Sequence, residues 1–238
     1  MGDAAREYEW KGRSGPFTLL VSPDVFTPSR TTLALGDALD IRPGDTVLDL
    51  GCGSGVLSFV AVRLGAARAV GCDASEAAVC CARANARRLG MAGVTEFRAG
   101  NLLEPVRDVH ADVVVADVSG VPDAVARATG WFPDGRGGGP TGSETPAAML
   151  GQIGDLLTRT ARVYLPTGTI QAEERVLDAA RRVFGSNMQR VACRDFPLPQ
   201  AVTRDADVAR LIDEGVIPLG RRGSRFTWRL TIWCCGPG

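Results

Sequence analysis

The chain has 238 residues, 45% hydrophobic and 23% charged, which suits one α/β domain with a short extension and a buried core. Its 27 basic residues balance its 27 acidic ones, and a polyanionic partner usually demands a basic surplus, so nucleic acid is not expected as a partner. No apolar run approaches the roughly 20 residues of a membrane span, and no apolar stretch follows the charged N-terminus, so the expected location is cytoplasmic, without membrane or secretory signal.

Residues 14–40 precede the first core strand. Pro16, Pro23 and Pro28 keep their first part extended, and residues 31–39 have the spacing of a short helix. Residues 46–50 (TVLDL) read as a strand that runs into glycine, and residues 55–64 as a helix. A second strand over 68–73 (RAVGCD) leads to a helix over 76–89, closed by Gly90. Residues 95–100 make a weaker third strand. Residues 112–117 (DVVVAD) form a fourth, apolar throughout its centre and so buried on both faces. Residues 131–146 are rich in glycine and proline and read as a loop. The pattern then predicts a helix over 147–161, a fifth strand over 162–167 and a helix over 173–184. Strands over 189–196 and 226–234 end the sheet, with a helix over 205–214 between them. Alternating strand and helix predict an α/β fold with a parallel, doubly wound sheet.

Seven cysteines occur: Cys52, Cys72, Cys80, Cys81, Cys193, Cys234 and Cys235. None stands in a C-x-x-C pair and His110 is the one histidine, so no metal site is expected. Small thiols filling strand and helix faces in a reducing compartment account for them. Lys11 is the single lysine, which reflects compositional bias before function.

The densest signal is VLDLGCGSGVLS, residues 47–58. A strand ends in Asp49, and Gly51, Gly53 and Gly55 alternate before a helix. So tight a strand-to-helix turn needs residues that accept positive φ and let backbone approach a ligand. The helix start offers free N–H groups to an anion or carboxylate. A dinucleotide site asks for G-x-G-x-x-G, but its third glycine would fall at Val56. The second strand ends in Asp73, about twenty residues on, where an acid accepts hydrogen bonds from both hydroxyls of a ribose. Such bonds to a charged acceptor are each worth roughly 1.5–3 kcal/mol. The alternative role for Asp73 is to cap the next helix, but Ser75 fills that role equally well.

The D-x-G-x-G-x-G pattern resembles the first motif of class I methyltransferases, which receives the amino-acid part of S-adenosylmethionine. From about residue 20 onward the chain is similar to the small-domain type of that class, and most similar to the HemK-like protein glutamine N-methyltransferases. The segment SPDVFTPSRTTLALGDAL, residues 22–39, carries that likeness: an apolar-x-Pro run leads to a threonine and a short helix. The resemblance implies a Rossmann-like, mostly parallel seven-stranded sheet with an antiparallel final strand. It implies S-adenosylmethionine as cofactor, held by Thr32, Asp49, Gly51, Gly53, Gly55, Asp73, Ala74, Asn101, Leu102 and Asp117. Within that set Thr32 lies over the cofactor, Asn101 meets the adenine amine and Leu102 flanks the ring. Residues 1–40 would be an extension and lead-in helix over the cofactor site, and 41–238 the cofactor-binding domain. The acid usual near the threonine is Arg30 or Thr31 here.

The larger departure follows the fourth strand. HemK-like enzymes carry Asn/Asp-Pro-Pro-aromatic there; this chain has Asp117-Val118-Ser119-Gly120-Val121-Pro122. Glutamine or adenine specificity does not carry over. Asp117 and Glu144 remain the candidate catalytic acids, Asp117 at the sheet edge and Glu144 reaching in from the loop over 131–146. Trp131 and Phe132 would line an acceptor pocket or pack as core aromatics, and His110 reads as an ordinary turn residue. The expected function is methyl transfer to a nitrogen, less readily an oxygen, of a small molecule or a protein side chain. The same residues leave two alternatives open: an RNA methyltransferase, and a catalytically inactive nucleotide-binding regulator.

Overall fold

The computed structural model describes residues 5–237. In chain order its elements are β1 (Arg6–Trp10), β2 (Phe17–Val21), α1 (Arg30–Ala38), β3 (Thr46–Leu50), α2 (Val56–Arg63), β4 (Arg68–Asp73), α3 (Glu76–Arg88) and β5 (Thr95–Ala99). There follow β6 (Ala111–Ala116), α4 (Asp123–Thr129), α5 (Glu144–Leu150), β7 (Leu157–Gly168), α6 (Glu173–Phe184) and β8 (Met188–Pro197). The chain ends with α7 (Gln200–Thr203), α8 (Ala206–Asp213), β9 (Gly220–Arg222) and β10 (Arg225–Cys235).

Seven strands cross the main sheet in the order β5-β4-β3-β6-β7-β10-β8, and the short β9 hangs on β10 as an eighth. The five strands from β5 to β7 are mutually parallel, and β10 runs antiparallel to both β7 and β8. This is the doubly wound α/β arrangement expected, with β9 added. Val113, Val114 and Val115 of β6 are all fully buried, as a strand covered on both faces must be. Alternate residues feed opposite cores: Val113 and Val115 join the cluster beneath α1, α2 and α3, and Val114 and Ala116 join the one beneath α5 and α6. A third cluster holds α4, α7 and α8 together around Val125, Ile170 and Ile217.

Several local expectations change. The helix expected over 147–161 stops at Leu150, and β7 starts at Leu157. Residues 157–161 instead extend the sheet: Leu157 pairs with Ala111, and Thr158 hydrogen-bonds Asp112 at 3.2 Å. Pairing across the sheet overrides a marginal helical spacing. The N-terminal stretch is no simple extended lead. β1 and β2 form an antiparallel ribbon, Trp10 is fully buried, and the Asn85 amide bonds both backbone groups of Leu20 at 2.9 Å. The helix α4, formed by residues past Asp117, was not legible in the apolar spacing. All seven cysteines are free thiols.

Candidate functional site

Because β3 to β7 are parallel, the loops after them leave one rim of the sheet, where ligands of open α/β folds sit. Gly51, Gly53 and Gly55 follow β3 with φ of 77°, 51° and 86°, values that side chains resist. The backbone amides of Gly51 and Cys52 both donate to the Cys72 carbonyl, at 2.9 and 3.0 Å, which folds the loop onto the end of β4. A Cβ on Gly51 would come within 2.5 Å of the Asp117 carbonyl oxygen, and one on Gly55 within 2.8 Å of the Phe59 ring. One on Gly53 would meet nothing within 4 Å. Two of the three glycines are therefore demanded by packing, and the middle one faces open space.

Asp73 ends β4 beside that space. Its Oδ2 accepts from the Gly53 amide and its Oδ1 from the Ser75 amide, both at 2.9 Å. A carboxylate has about four lone-pair sites, so two remain for a ligand. Ser75 caps α3 by accepting from the Ala78 amide at 3.3 Å, and Ala74 is exposed next to it. After β5, Asn101 is exposed and Leu102 is half-buried. Leu102 is held at φ 48°, with its carbonyl accepting from the Cys72 thiol at 3.2 Å. Gly100 donates to the Asp73 carbonyl at 3.0 Å, which brings Asn101 and Leu102 to the edge that Asp73 defines.

Asp49 is 1% exposed. Its Oδ2 accepts from the amide and hydroxyl of Ser58, at 3.0 and 2.6 Å, pinning the first turn of α2. Its Oδ1 is buried without a partner. Burial pushes the carboxyl up to about 6 against the Ser58 hydrogen bonds, with a smaller contribution from the Asp73 charge.

Asp117 follows β6. Burial, and then the Asp49 charge, push its carboxyl up to about 7, and the Thr32 hydroxyl offsets part of the rise. Thr32 also completes the capping box of α1: its hydroxyl accepts from the Ser29 amide at 3.1 Å, and its own amide donates to the Ser29 hydroxyl at 3.4 Å.

The glycine-rich stretch lies directly on residues 119–123. Gly138 donates to the Val121 carbonyl at 2.6 Å, Asp123 donates to the Gly139 carbonyl at 3.0 Å, and Gly137 donates to the Asp123 carboxylate at 2.8 Å. A Cβ on Gly137, Gly138 or Gly142 would strike the backbone of Val121, Ser119 or Pro122. The part of this loop next to Asp117 is thus anchored backbone to backbone. Phe132 on the same loop stacks on Phe26 at 4.9 Å, and Trp131 is 37% exposed. Glu144 is exposed, and its two oxygens accept from the Thr141 hydroxyl and amide, at 2.8 and 3.1 Å. Its carboxylate closes the turn into α5. His110 is exposed ahead of β6.

One polar group at this rim escaped the sequence reading: Gln171, in the loop after β7, is 3% exposed and its Nε2 has no partner. The buried Ser119 hydroxyl, in the run after Asp117, has none either. The one available signal was position: Gln171 follows a buried strand two loops from the glycine motif.

Residues 29–120 match the family model described as ribosomal protein L11 methyltransferase (PrmA). The chain is 48% identical over 86 residues to the ribosomal protein L11 methyltransferase of Pelotomaculum thermopropionicum, covering 36% of this chain and 27% of that protein. It is 34% identical over 100 residues to the one from Syntrophomonas wolfei, covering 39% and 33%. The matched stretch spans no more than about a third of these relatives. Among solved structures, the ribosomal protein L11 methylase of Lactobacillus delbrueckii subsp. bulgaricus aligns with a TM-score of 0.55 at 18% identity, over 91% of this chain and 84% of that one. A methyltransferase from Thiobacillus denitrificans in complex with S-adenosyl-L-homocysteine aligns at 0.51 and 16%, over 89% and 94%. The chain has the Rossmann-like methyltransferase fold, with a mainly parallel sheet and an antiparallel C-terminal strand.

Proposed function

We propose that this chain is an S-adenosylmethionine-dependent methyltransferase that acts on a nitrogen of a protein side chain or small molecule. The observation that carries the reading is the pairing of Gly53 and Asp73. A glycine at φ 51° with open space where its side chain would be donates its amide to an acid at the end of the next strand. The relatives to which the chain is similar are named ribosomal protein L11 methyltransferases, which brings a protein acceptor forward. The matched residues 29–120 stop just after β6, so they cover the cofactor half and leave β7 to β10 outside the likeness. For that reason neither the L11 substrate nor the HemK-like specificity is adopted.

When bound, S-adenosylmethionine would supply an electrophilic methyl group on a sulfonium centre. The remaining work is alignment. The free lone pairs of Asp73 accept from the two ribose hydroxyls, and the amides at the start of α2 face the carboxylate of the amino-acid part. The Asn101 side-chain oxygen accepts from the adenine amine, beside Leu102. Thr32 and Asp49 close the site from α1 and β3. Asp117 holds the acceptor nitrogen through an N–H and takes its proton if it arrives charged.

Calorimetric titration with S-adenosylhomocysteine, and with NAD as control, tests the cofactor. Release of S-adenosylhomocysteine in the presence of protein and metabolite fractions tests turnover. Tight NAD binding, or no binding of S-adenosylhomocysteine, refutes the reading; binding without any turnover points to the regulator alternative.

A further inference from the structure

Residues 220–229 (GRRGSRFTWR) hold four arginines and no acid, in a chain whose charges balance. They form β9 and the start of β10, joined by the turn Gly223–Ser224 with Gly223 at φ 61°. Residues 220–225 are all exposed. β10 pairs with β7 over 230–235 and with β9 over 225–227. Since β8 holds the other edge of β10 from Thr227 onward, β9 stands on the edge that β7 uses, in line beyond the end of β7. The last β7 pair is Gly168 with Leu230, so Arg225 lies about 17 Å past it at the usual rise of a strand. The hairpin therefore projects from the rim onto which the glycine loop and Asp117 open.

Register decides which charges meet there. Arg229 stands opposite Asp195 across β10 and β8, and the two pair at 3.1 Å. Arg225 lies on the same face of β10, because side chains alternate along a strand. It stands opposite Arg222. Like charges directly opposite, with Cβ atoms about 5 Å apart, weaken a ribbon. Arg221 points to the other face, where its guanidinium lies 4.2 Å from the centroid of the Phe226 ring. Of the four arginines, only Arg229 is in an ion pair among the described residues. The sheet gives Arg229 a carboxylate and gives Arg225 a second cation, so the anion that would match Arg222 and Arg225 has to come from another molecule.

Two adjacent guanidinium groups fit carboxylates and phosphates alike. The surroundings favour carboxylates on a short segment. Helix α8, which packs in the same cluster as Phe226, carries with its flanking residues four acids against one arginine over 205–214. A nucleic acid draws its affinity from many phosphates in a row, and beyond Arg222 and Arg225 it would meet those acids and Asp195. We propose that the hairpin face bearing Arg222 and Arg225 docks a short acidic segment of a protein. Its place on the rim makes that protein the methyl acceptor. The acceptor step rests on the methyltransferase reading; the docking step does not.

Fluorescence anisotropy with labelled hexaglutamate, hexaglutamine and an RNA homopolymer tests the docking. Hexaglutamate is expected to bind at least about tenfold tighter than hexaglutamine, and less tightly as salt rises. The double variant Arg222→Gln/Arg225→Gln should lose that preference, and Arg222→Glu/Arg225→Glu should prefer hexalysine. Neither exposed pair serves the fold, so the glutamine variant should melt at or above the wild-type temperature. Equal binding of the two peptides overturns the proposal, as does a preference that survives in the glutamine variant, or a melting temperature lowered there by several degrees. RNA bound more tightly than hexaglutamate, and lost in the same variant, would make the hairpin a nucleic-acid surface instead. Release of S-adenosylhomocysteine with the protein fraction should fall at least about fivefold in the glutamine variant, with S-adenosylhomocysteine affinity kept within about twofold. Turnover equal to wild type overturns the acceptor step. If S-adenosylhomocysteine neither binds nor is released, the methyltransferase reading fails, while the peptide titrations still decide on the hairpin.

Discussion

Gly51 and Asp117 touch backbone to backbone: a Cβ on Gly51 would lie 2.5 Å from the Asp117 carbonyl oxygen and 3.2 Å from the Cα of Val118. The loop proposed to hold the cofactor and the segment proposed to hold the acceptor are therefore in direct contact, and the two glycines at its start should respond differently to the same change. Gly51→Ala combines positive φ with a backbone collision and should destabilise by about 2–4 kcal/mol, read by chemical denaturation. Gly53→Ala has only the φ penalty of about 1–2 kcal/mol. It should nonetheless weaken S-adenosylhomocysteine binding at least about tenfold, since its methyl group would occupy ligand space. Equal loss of stability in both variants, with binding retained in Gly53→Ala, would show that no ligand approaches there.

Asp73→Ala should weaken S-adenosylhomocysteine binding by about 10- to 150-fold, the worth of roughly 1.5–3 kcal/mol. The loss has two sources, the ribose contacts and the anchoring of the Gly53 and Ser75 amides. Calorimetry measures it, and circular dichroism checks that the fold persists. Unchanged affinity removes Asp73 from the site.

The Asp117 carboxyl is pushed up to about 7 by burial, against an ordinary value of about 4. An acid whose folded value is raised favours the folded state while protonated. Stability from this group is then full below pH about 4 and declines as pH climbs toward 7, because the unfolded chain ionises first. Asp117→Asn should raise the melting temperature at pH 8 by a few degrees, with the gain fading toward pH 4. Turnover should move the other way. If the carboxylate holds the acceptor or takes its proton, activity rises through pH about 7 in the wild type, and Asp117→Ala lowers it by about 100-fold or more at saturating cofactor. Normal turnover by Asp117→Ala would place the acceptor elsewhere.

Single-stranded RNA is expected to bind no tighter than about 10 µM at physiological salt. The 27 basic residues are matched by 27 acidic ones, and several arginines are held in ion pairs, such as Arg162 with Asp45 and Arg98 with Asp108. Fluorescence anisotropy with a labelled homopolymer checks this. Sub-micromolar binding that falls steeply with salt would favour the RNA alternative.

The sequence by itself determined the parts whose chemistry is local. A strand ending in Asp49, glycines where φ must be positive, and a second strand ending in Asp73 follow from residue type and spacing, and the structure has each of them in place. The parallel sheet followed from alternation, and α6 spans the expected residues 173–184. What distant pairing decides was not legible. Residues 157–161 have helical spacing but become strand because β6 offers them backbone partners. The β1–β2 ribbon depends on Asn85, far along the chain. The glycine-rich stretch read only as a loop, yet three of its glycines, Gly137, Gly138 and Gly142, are required by close contact with residues 119–122. Glu144 looked like a free acid and is engaged at a turn. Gln171 gave no signal in the sequence and is a buried, unmatched amide. Burial and hydrogen-bond completion belong to the surroundings of a side chain, and only the folded chain assembles those surroundings.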